Sequence, residues 1–283
     1  MKLRFLLVLL MFALGPASAR AQDPAPPVGV TEGVSALTEV LMIGSVLDVM
    51  REEGIVYGTE MQNEMFPGQG GAGWQAVVEI IYDPATLQAA FDSAFAASLV
   101  GSEQVPAIAA FFGSDLGQRI LTLEIEARRA LLGEAAEEAA KLTYAEMAAE
   151  GAPLVTALKA FVETNDLVES NVIGSLNASL AFFRGLSEGG PFAEAMPEDD
   201  MLAEVWAQEP DVRAETLDWL YPYLALAYKP LSIEEFQAYL DFSATPAGQT
   251  ANAALFAAFD AVFVKVSRDL GRAAATQMQG QEL

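Results

Sequence analysis

Two stretches decide how this chain is read: Phe111-Phe112-Gly113-Ser114-Asp115-Leu116-Gly117-Gln118 and, 131 residues further on, Phe242-Ser243-Ala244-Thr245-Pro246-Ala247-Gly248-Gln249. An aromatic, a hydroxyl residue, a glycine and a glutamine coincide. Ser114 and Thr245 are helix N-caps by type, since their oxygens can accept from the first free amides of a following helix. Pro246 has its φ already set for the first helical position. Gly117 and Gly248 then fall at the third, where a missing side chain lets another backbone come close. That approach must offset the ~0.5–1 kcal/mol that glycine costs inside a helix. Phe111 and Phe242, on the preceding short helix, are expected to pack across the gap and fix the angle between the two helices.

Each motif opens a long helical pattern. After Ser114, Leu116, Ile120, Leu123, Ala127 and Leu131 keep the helical period. Glu124 with Arg128, and Glu137 with Lys141, stand four apart in the favourable acid-first order, and Gly133 is expected to bend the run. After Thr245-Pro246 the last helix is expected to reach about Ala275. Upstream, Val40, Ile43, Leu47 and Met50 read as one helix ended by Gly54, and Phe66 to Gly73 as a loop. Asp83-Pro84 starts a helix faced by Leu87, Phe91, Phe95 and Leu99. Ser102 opens a short helix through Val105, Ile108 and Phe111. In the second half Ala152-Pro153 starts a helix, Thr164-Asn165-Asp166 interrupts it, and a further helix runs to about Phe183 before a loop at Ser187 to Pro191. Pro210 precedes a helix through Leu217, Leu220, Leu224 and Tyr228 in which Pro222 predicts a kink. Ser232 and Glu235 form a capping box.

No alternating β-branched run bounded by turns occurs, so the fold class is all-α. Ile43-Gly44-Ser45 matches Ile173-Gly174-Ser175 at 130 residues, and each half carries a Gly-rich loop, a Trp (Trp74; Trp206), a Leu-rich helix and then the motif. The expectation is two tandem helical repeats, 31–150 and 151–283, packed as a pseudo-symmetric pair.

The same residues carry a family resemblance. An aromatic pair, then x-Ser-Pro-x-Gly-Gln at the start of a helix, resembles the bacterial family known as domain of unknown function 2059. The first stretch keeps Phe111, Phe112, Ser114, Gly117 and Gln118 but has Asp115 for proline. The second keeps Phe242, Thr245, Pro246, Gly248 and Gln249 but has Ser243 in place of the second aromatic. The resemblance implies a helical export-pathway protein and no particular reaction.

The N-terminus supplies the compartment. Lys2 and Arg4, an apolar run from Phe5 to Leu14, and Ala17-Ser18-Ala19-Arg20-Ala21 read as a signal peptide (1–21) cleaved after Ala21. A membrane anchor would need about twice that apolar length. A Pro-rich segment (22–30) follows, and 262 residues would form the mature chain. Its formal charge moves from −24 to −27 on loss of Lys2, Arg4 and Arg20. A field of that sign repels nucleic acid and anionic lipid. The expected location is therefore the periplasm, or outside the cell, with no stable membrane anchor after signal removal.

With hydrophobic residues at 53%, charged residues at 19%, and neither His nor Cys, the chain is globular, and disulfides, thiol chemistry, zinc fingers and Ser-His-Asp triads are excluded. Gly68-x-Gly70-x-x-Gly73 fits a dinucleotide pattern literally but lacks the preceding strand that the fingerprint requires. Glu198-Asp199-Asp200 suits a helix N-terminus. Glu124 and Glu126 point to different faces and read as solvated helix surface. No catalytic, cofactor-binding or metal-binding residues are assigned. The leading expectation is a non-enzymatic interaction or chaperone-like module of the envelope, for which Met42, Met50, Met61 and Met65 would offer an adaptable surface. The alternatives are a carrier of a small apolar ligand in a cavity between the halves, and a carboxylate-based hydrolase of envelope polymer.

Overall fold

The computed structural model describes residues 28–189 and 197–280. The signal segment 1–21, the first part of the Pro-rich segment and the last two residues of the loop expected at Ser187 to Pro191 lie outside these residues. The described chain is all-helical: α1 (Val28–Val40), α2 (Ile43–Met65), α3 (Gly71–Ile81), α4 (Pro84–Ser98), α5 (Val105–Phe112), α6 (Asp115–Ala130), α7 (Glu134–Ala149), α8 (Pro153–Thr164), α9 (Leu167–Gly189), α10 (Glu198–Ala207), α11 (Glu209–Tyr228), α12 (Ile233–Ser243) and α13 (Pro246–Gln279).

The capping chemistry works as the residue types dictate. Asp83 accepts from the Thr86 amide at 2.9 Å. Ser232 and Glu235 exchange the two hydrogen bonds of a capping box. Glu198, Asp199 and Asp200 occupy the first turn of α10. In both motifs the hydroxyl oxygen accepts from the glycine amide at 3.1 Å, Ser114 from Gly117 and Thr245 from Gly248, and donates at 2.6 Å to the carbonyl of Phe111 or Phe242. The close approach is also present. A Cβ at Gly117 would overlap the carbonyl of Phe111 and the Cα of Phe112, and one at Gly248 would overlap the carbonyl of Phe242 and the Cα of Ser243. The aromatics act differently from expectation. Phe111 and Phe242 lie face to face, with centroids 3.8 Å apart and planes at 3°, so each motif's leading aromatic packs on the other motif.

The glutamines close the corners. Gln118 donates to the carbonyls of Val40 (2.8 Å) and Phe112 (2.7 Å), and Gln249 to those of Thr164 (3.2 Å) and Ser243 (2.8 Å). These carbonyls end α1, α5, α8 and α12, where a helix leaves its last acceptors without intrahelical partners. One side-chain amide thus joins three helix ends.

Several expectations fail for identifiable reasons. The pattern from Val40 to Met50 is two helices, because Met42 turns the chain at φ 54°. Gly54 does not end α2. It gives room to the Tyr82 ring, which a Cβ there would overlap. The run after Ser114 is broken rather than bent at Gly133, which becomes the N-cap of α7. The loop at Phe66 is shorter than expected, since Gly71 already begins α3, and α9 continues past Phe183 to Gly189. Residues 28–30, read as part of an extended lead-in, are helical.

Most of the core is one apolar cluster, with a small second one of Val172, Leu176, Val205 and Val212 where α9 meets α10 and α11. Helices α9 and α13 run side by side in the same direction, with Asn165 meeting Asn252, Asn177 meeting Asp260, and Gly189 meeting Gln279. Helix α13 is long and apolar enough to cross a membrane, and so, taken together, is the bent pair Gly33–Val40 and Ile43–Met65. Half of the apolar window in α13 is buried inside the fold. Ala for Gly248 should lower the melting temperature by several degrees, as overpacking of ~1–3 kcal/mol requires. Ala for Gly44, a helical glycine with nothing within 4 Å of the added carbon, should raise it slightly. Parallel thermal melts that moved the same way would remove the close-packing role of Gly248.

Candidate functional site: a half-open apolar cavity

Helices α2, α9 and α13, with Tyr82 at the end of α3, enclose a cavity of about 230 Å³. Its floor is apolar and buried, formed by Met50, Phe182, Phe259 and Val266. Its mouth is exposed at Ile173, Asn177 and Ala257. Periodicity builds the walls. Ser170, Gly174 and Asn177 recur along one face of α9, while Phe256, Asp260, Phe263 and Ser267 do so on α13. Gly174 leaves the wall bare, since a Cβ there would meet only Asp260 Oδ1, at 4.0 Å.

Polar groups are few and placed at distinct points. Asp260 Oδ1 accepts from Asn177 Nδ2 at 3.0 Å. Burial pushes the Asp260 carboxyl above the usual carboxylate range, and the Asn177 hydrogen bond opposes that only in part. Ser170 is buried, and its hydroxyl has no hydrogen-bond partner among the described residues. Burial also raises the phenols of Tyr57 and Tyr82, so both are neutral donors at physiological pH.

Beneath the α2 wall lies a buried polar network. Arg128 grips Glu53 with two hydrogen bonds, Nε to Oε1 at 2.7 Å and Nη2 to Oε2 at 2.6 Å, and both side chains are nearly inaccessible. The pairing is bidentate, which suits a guanidinium opposite a carboxylate. Glu124, one turn before Arg128, accepts from the hydroxyls of Tyr228 (2.6 Å) and Tyr239 (3.3 Å). Burial drives the Glu124 carboxyl up to about 7, against the lowering effect of those two phenols. Two sequence expectations are corrected here. Glu124 is core and not solvated surface, and Arg128 turns from Glu124 to Glu53. The Glu137–Lys141 pair forms as expected, at 2.9 Å.

The motif residues Phe111, Ser114, Gly117, Gln118, Phe242, Thr245, Pro246, Gly248 and Gln249 meet at the α5/α6 and α12/α13 corners, and none of them lines the cavity. Of the methionines read as an adaptable surface, Met50 and Met61 are buried. Sequence reasoning missed Asp260, although it is the lone charge in the apolar run Ala253 to Val264. It missed Glu53 and Ser170 as well, for which nothing in the local pattern stands out.

Glu124 holds its proton up to about pH 7 in the fold and up to about 4.5 in the unfolded chain. The folded protein therefore binds the extra proton between those values, and the contribution of Glu124 to stability falls as pH rises through that window. Asp260 acts in the same direction. Glu124→Gln should reduce the drop in urea midpoint between pH 5 and pH 8; an unchanged drop would assign it to other groups.

No curated protein and no solved structure matches the chain. One family model does match, over residues 89–144, and its description is an uncharacterized protein conserved in bacteria, DUF2059. That segment includes the first motif, Phe111 to Gln118, and stops well short of the second, so the family likeness extends to one motif where the sequence had suggested two.

Proposed function

We propose that this protein binds a small, largely apolar ligand in the cavity between α2, α9 and α13, and that it does so in the cell envelope after export on segment 1–21. The observation that carries this reading is the cavity itself, bounded by aromatic and aliphatic side chains, open at one side, and supplied with a few polar groups at separate points. Ligand sites have that composition. An engineered cavity of about 150 Å³ admits benzene, so 230 Å³ suits a ligand of about nine or ten heavy atoms. The interaction-module reading drew on an exposed methionine surface, and with Met50 and Met61 in the core it has less support. The hydrolase reading asks for two free carboxylates in a cleft, whereas Glu53 is held by Arg128.

The placement of the cavity follows from a tandem duplication that we also propose, with α1–α6 equivalent to α8–α13 and α7 as connector. Support comes from matched details. Helices α2 and α9 each have 23 residues and each follow a non-glycine residue of positive φ, Met42 and Asp166. Gln118 reaches two residues before the first, Gln249 two before the second. This equivalence pairs Ile43 with Leu167, both fully buried, in place of the Ile173 suggested by sequence, which is exposed. Trp74 (1% exposed) and Trp206 (64%) have diverged in environment. If the halves are equivalent, Gln118→Ala and Gln249→Ala should each cost a similar ~1–3 kcal/mol in urea unfolding, and a large inequality would count against the equivalence.

Indole, with nine heavy atoms, is a suitable probe of the cavity. Millimolar indole should raise the melting temperature and give saturation-transfer NMR signals, and Gly174→Leu, which fills the bare wall, should abolish both without lowering the intrinsic melting temperature. Indole signals that survive Gly174→Leu would place binding elsewhere and overturn the reading.

A further inference from the structure

Resting on the ligand-binding reading above, the geometry points to a more specific ligand class: we infer that the cavity takes a small amphipathic amine, with Asp260 as counter-ion to its ammonium group and the aromatic walls enclosing its apolar body. Three independent features converge. Two carboxylates line the cavity, and they are in opposite states. Glu53 is neutralised by the bidentate grip of Arg128, whereas Asp260 takes part in no ion pair among the described residues and has only the Asn177 amide as partner. The cavity therefore holds one half-buried acid without a counter-charge among the described residues, flanked by apolar walls, where a partly desolvated cation is worth more than in water.

Next, Tyr57, Tyr82, Phe256 and Phe263 join the walls, and ring faces attract an ammonium by their quadrupole as well as covering the hydrocarbon part. Finally, the Ser170 hydroxyl, buried in the cavity wall and without a hydrogen-bond partner among the described residues, offers a further polar atom of the ligand an acceptor or donor at a second point of the lining. The formal charge of −24 adds a long-range field that raises the local concentration of cations at the mouth. An anionic ligand of the same shape would face that field and Asp260 together, and a neutral one would leave the carboxylate uncompensated.

The experiment compares three isosteric probes, 2-phenylethylamine, 2-phenylethanol and phenylacetate, on the intact mature protein at pH 7.5 by calorimetry. The amine should bind at least tenfold more tightly than the alcohol, and phenylacetate should bind most weakly. Asp260→Asn keeps the volume and a hydrogen bond to Asn177, and should bring the amine to the affinity of the alcohol while leaving the alcohol unchanged. Gly174→Leu should abolish binding of amine and alcohol alike, which separates the cavity from attraction to the acidic surface. Equal affinities for amine and alcohol in the wild type would overturn the amine assignment and leave the cavity reading intact, as would an amine preference that survives Asp260→Asn. Binding of none of the three probes would overturn both.

Discussion

Two corners of the fold, α5/α6 and α12/α13, are each tied at a single side-chain amide. Gln118 and Gln249 sit in the first turn of α6 and α13, and each donates both of its amide hydrogens to carbonyls that end other helices. A carboxylate in that position would place two like dipoles against a negative charge, and a shorter side chain would leave two acceptors unmet. The glutamine reaches those carbonyls only because Gly117 and Gly248 let the preceding helix come into backbone contact. The hydroxyl cap fixes where the helix starts, and so sets the position of the glutamine one residue after the glycine. The motif is a single device in which cap, close approach and amide depend on one another, and its two examples are joined where Phe111 lies against Phe242.

Away from those corners, two helix contacts carry polar pairs. In the first half α2 and α6 meet through Glu53 and Arg128, a pair that satisfies itself except for Arg128 Nη1. Removing either partner would leave a buried charge, a loss of ~3–5 kcal/mol, so the pair is held in place by the cost of breaking it more than by the gain of making it. In the second half α9 and α13 meet through Asn177 and Asp260, which supply one charge and no cation. The first contact is filled by a guanidinium, and the second opens on a cavity.

Much of the fold was legible because it rests on local chemistry. Caps at Asp83, Ser114, Ser232 and Thr245, the proline starts and the apolar period place most helices correctly from residue type alone. What failed were the points where tertiary packing overrides local preference. Gly54 looks like a helix end until the Tyr82 ring is seen to occupy the missing side chain's space. Met42 looks like an ordinary helix residue, yet it turns the chain at φ 54° between Leu41 and Ile43, both fully buried. Glu124 keeps a favourable spacing to Arg128 on paper, but each side chain finds a better partner on another helix. The cavity was less legible still, because its wall is assembled from helices far apart in sequence, α9 and α13 meeting at a separation of 83 residues and α2 lying further off. Asp260 alone left a trace, as one acid in twelve otherwise uncharged, apolar residues.

That trace bears on why the cavity persists. An acid on the core side of a long apolar helix costs desolvation free energy, and burial already pushes its carboxyl upward. An apolar side chain there would carry no such cost. A bare glycine opposite a half-buried acid, beside a buried serine hydroxyl without a partner among the described residues, departs from what stability alone would favour at three neighbouring positions. Departures of this kind concentrate where a chain serves a ligand, and these three share one wall of the cavity.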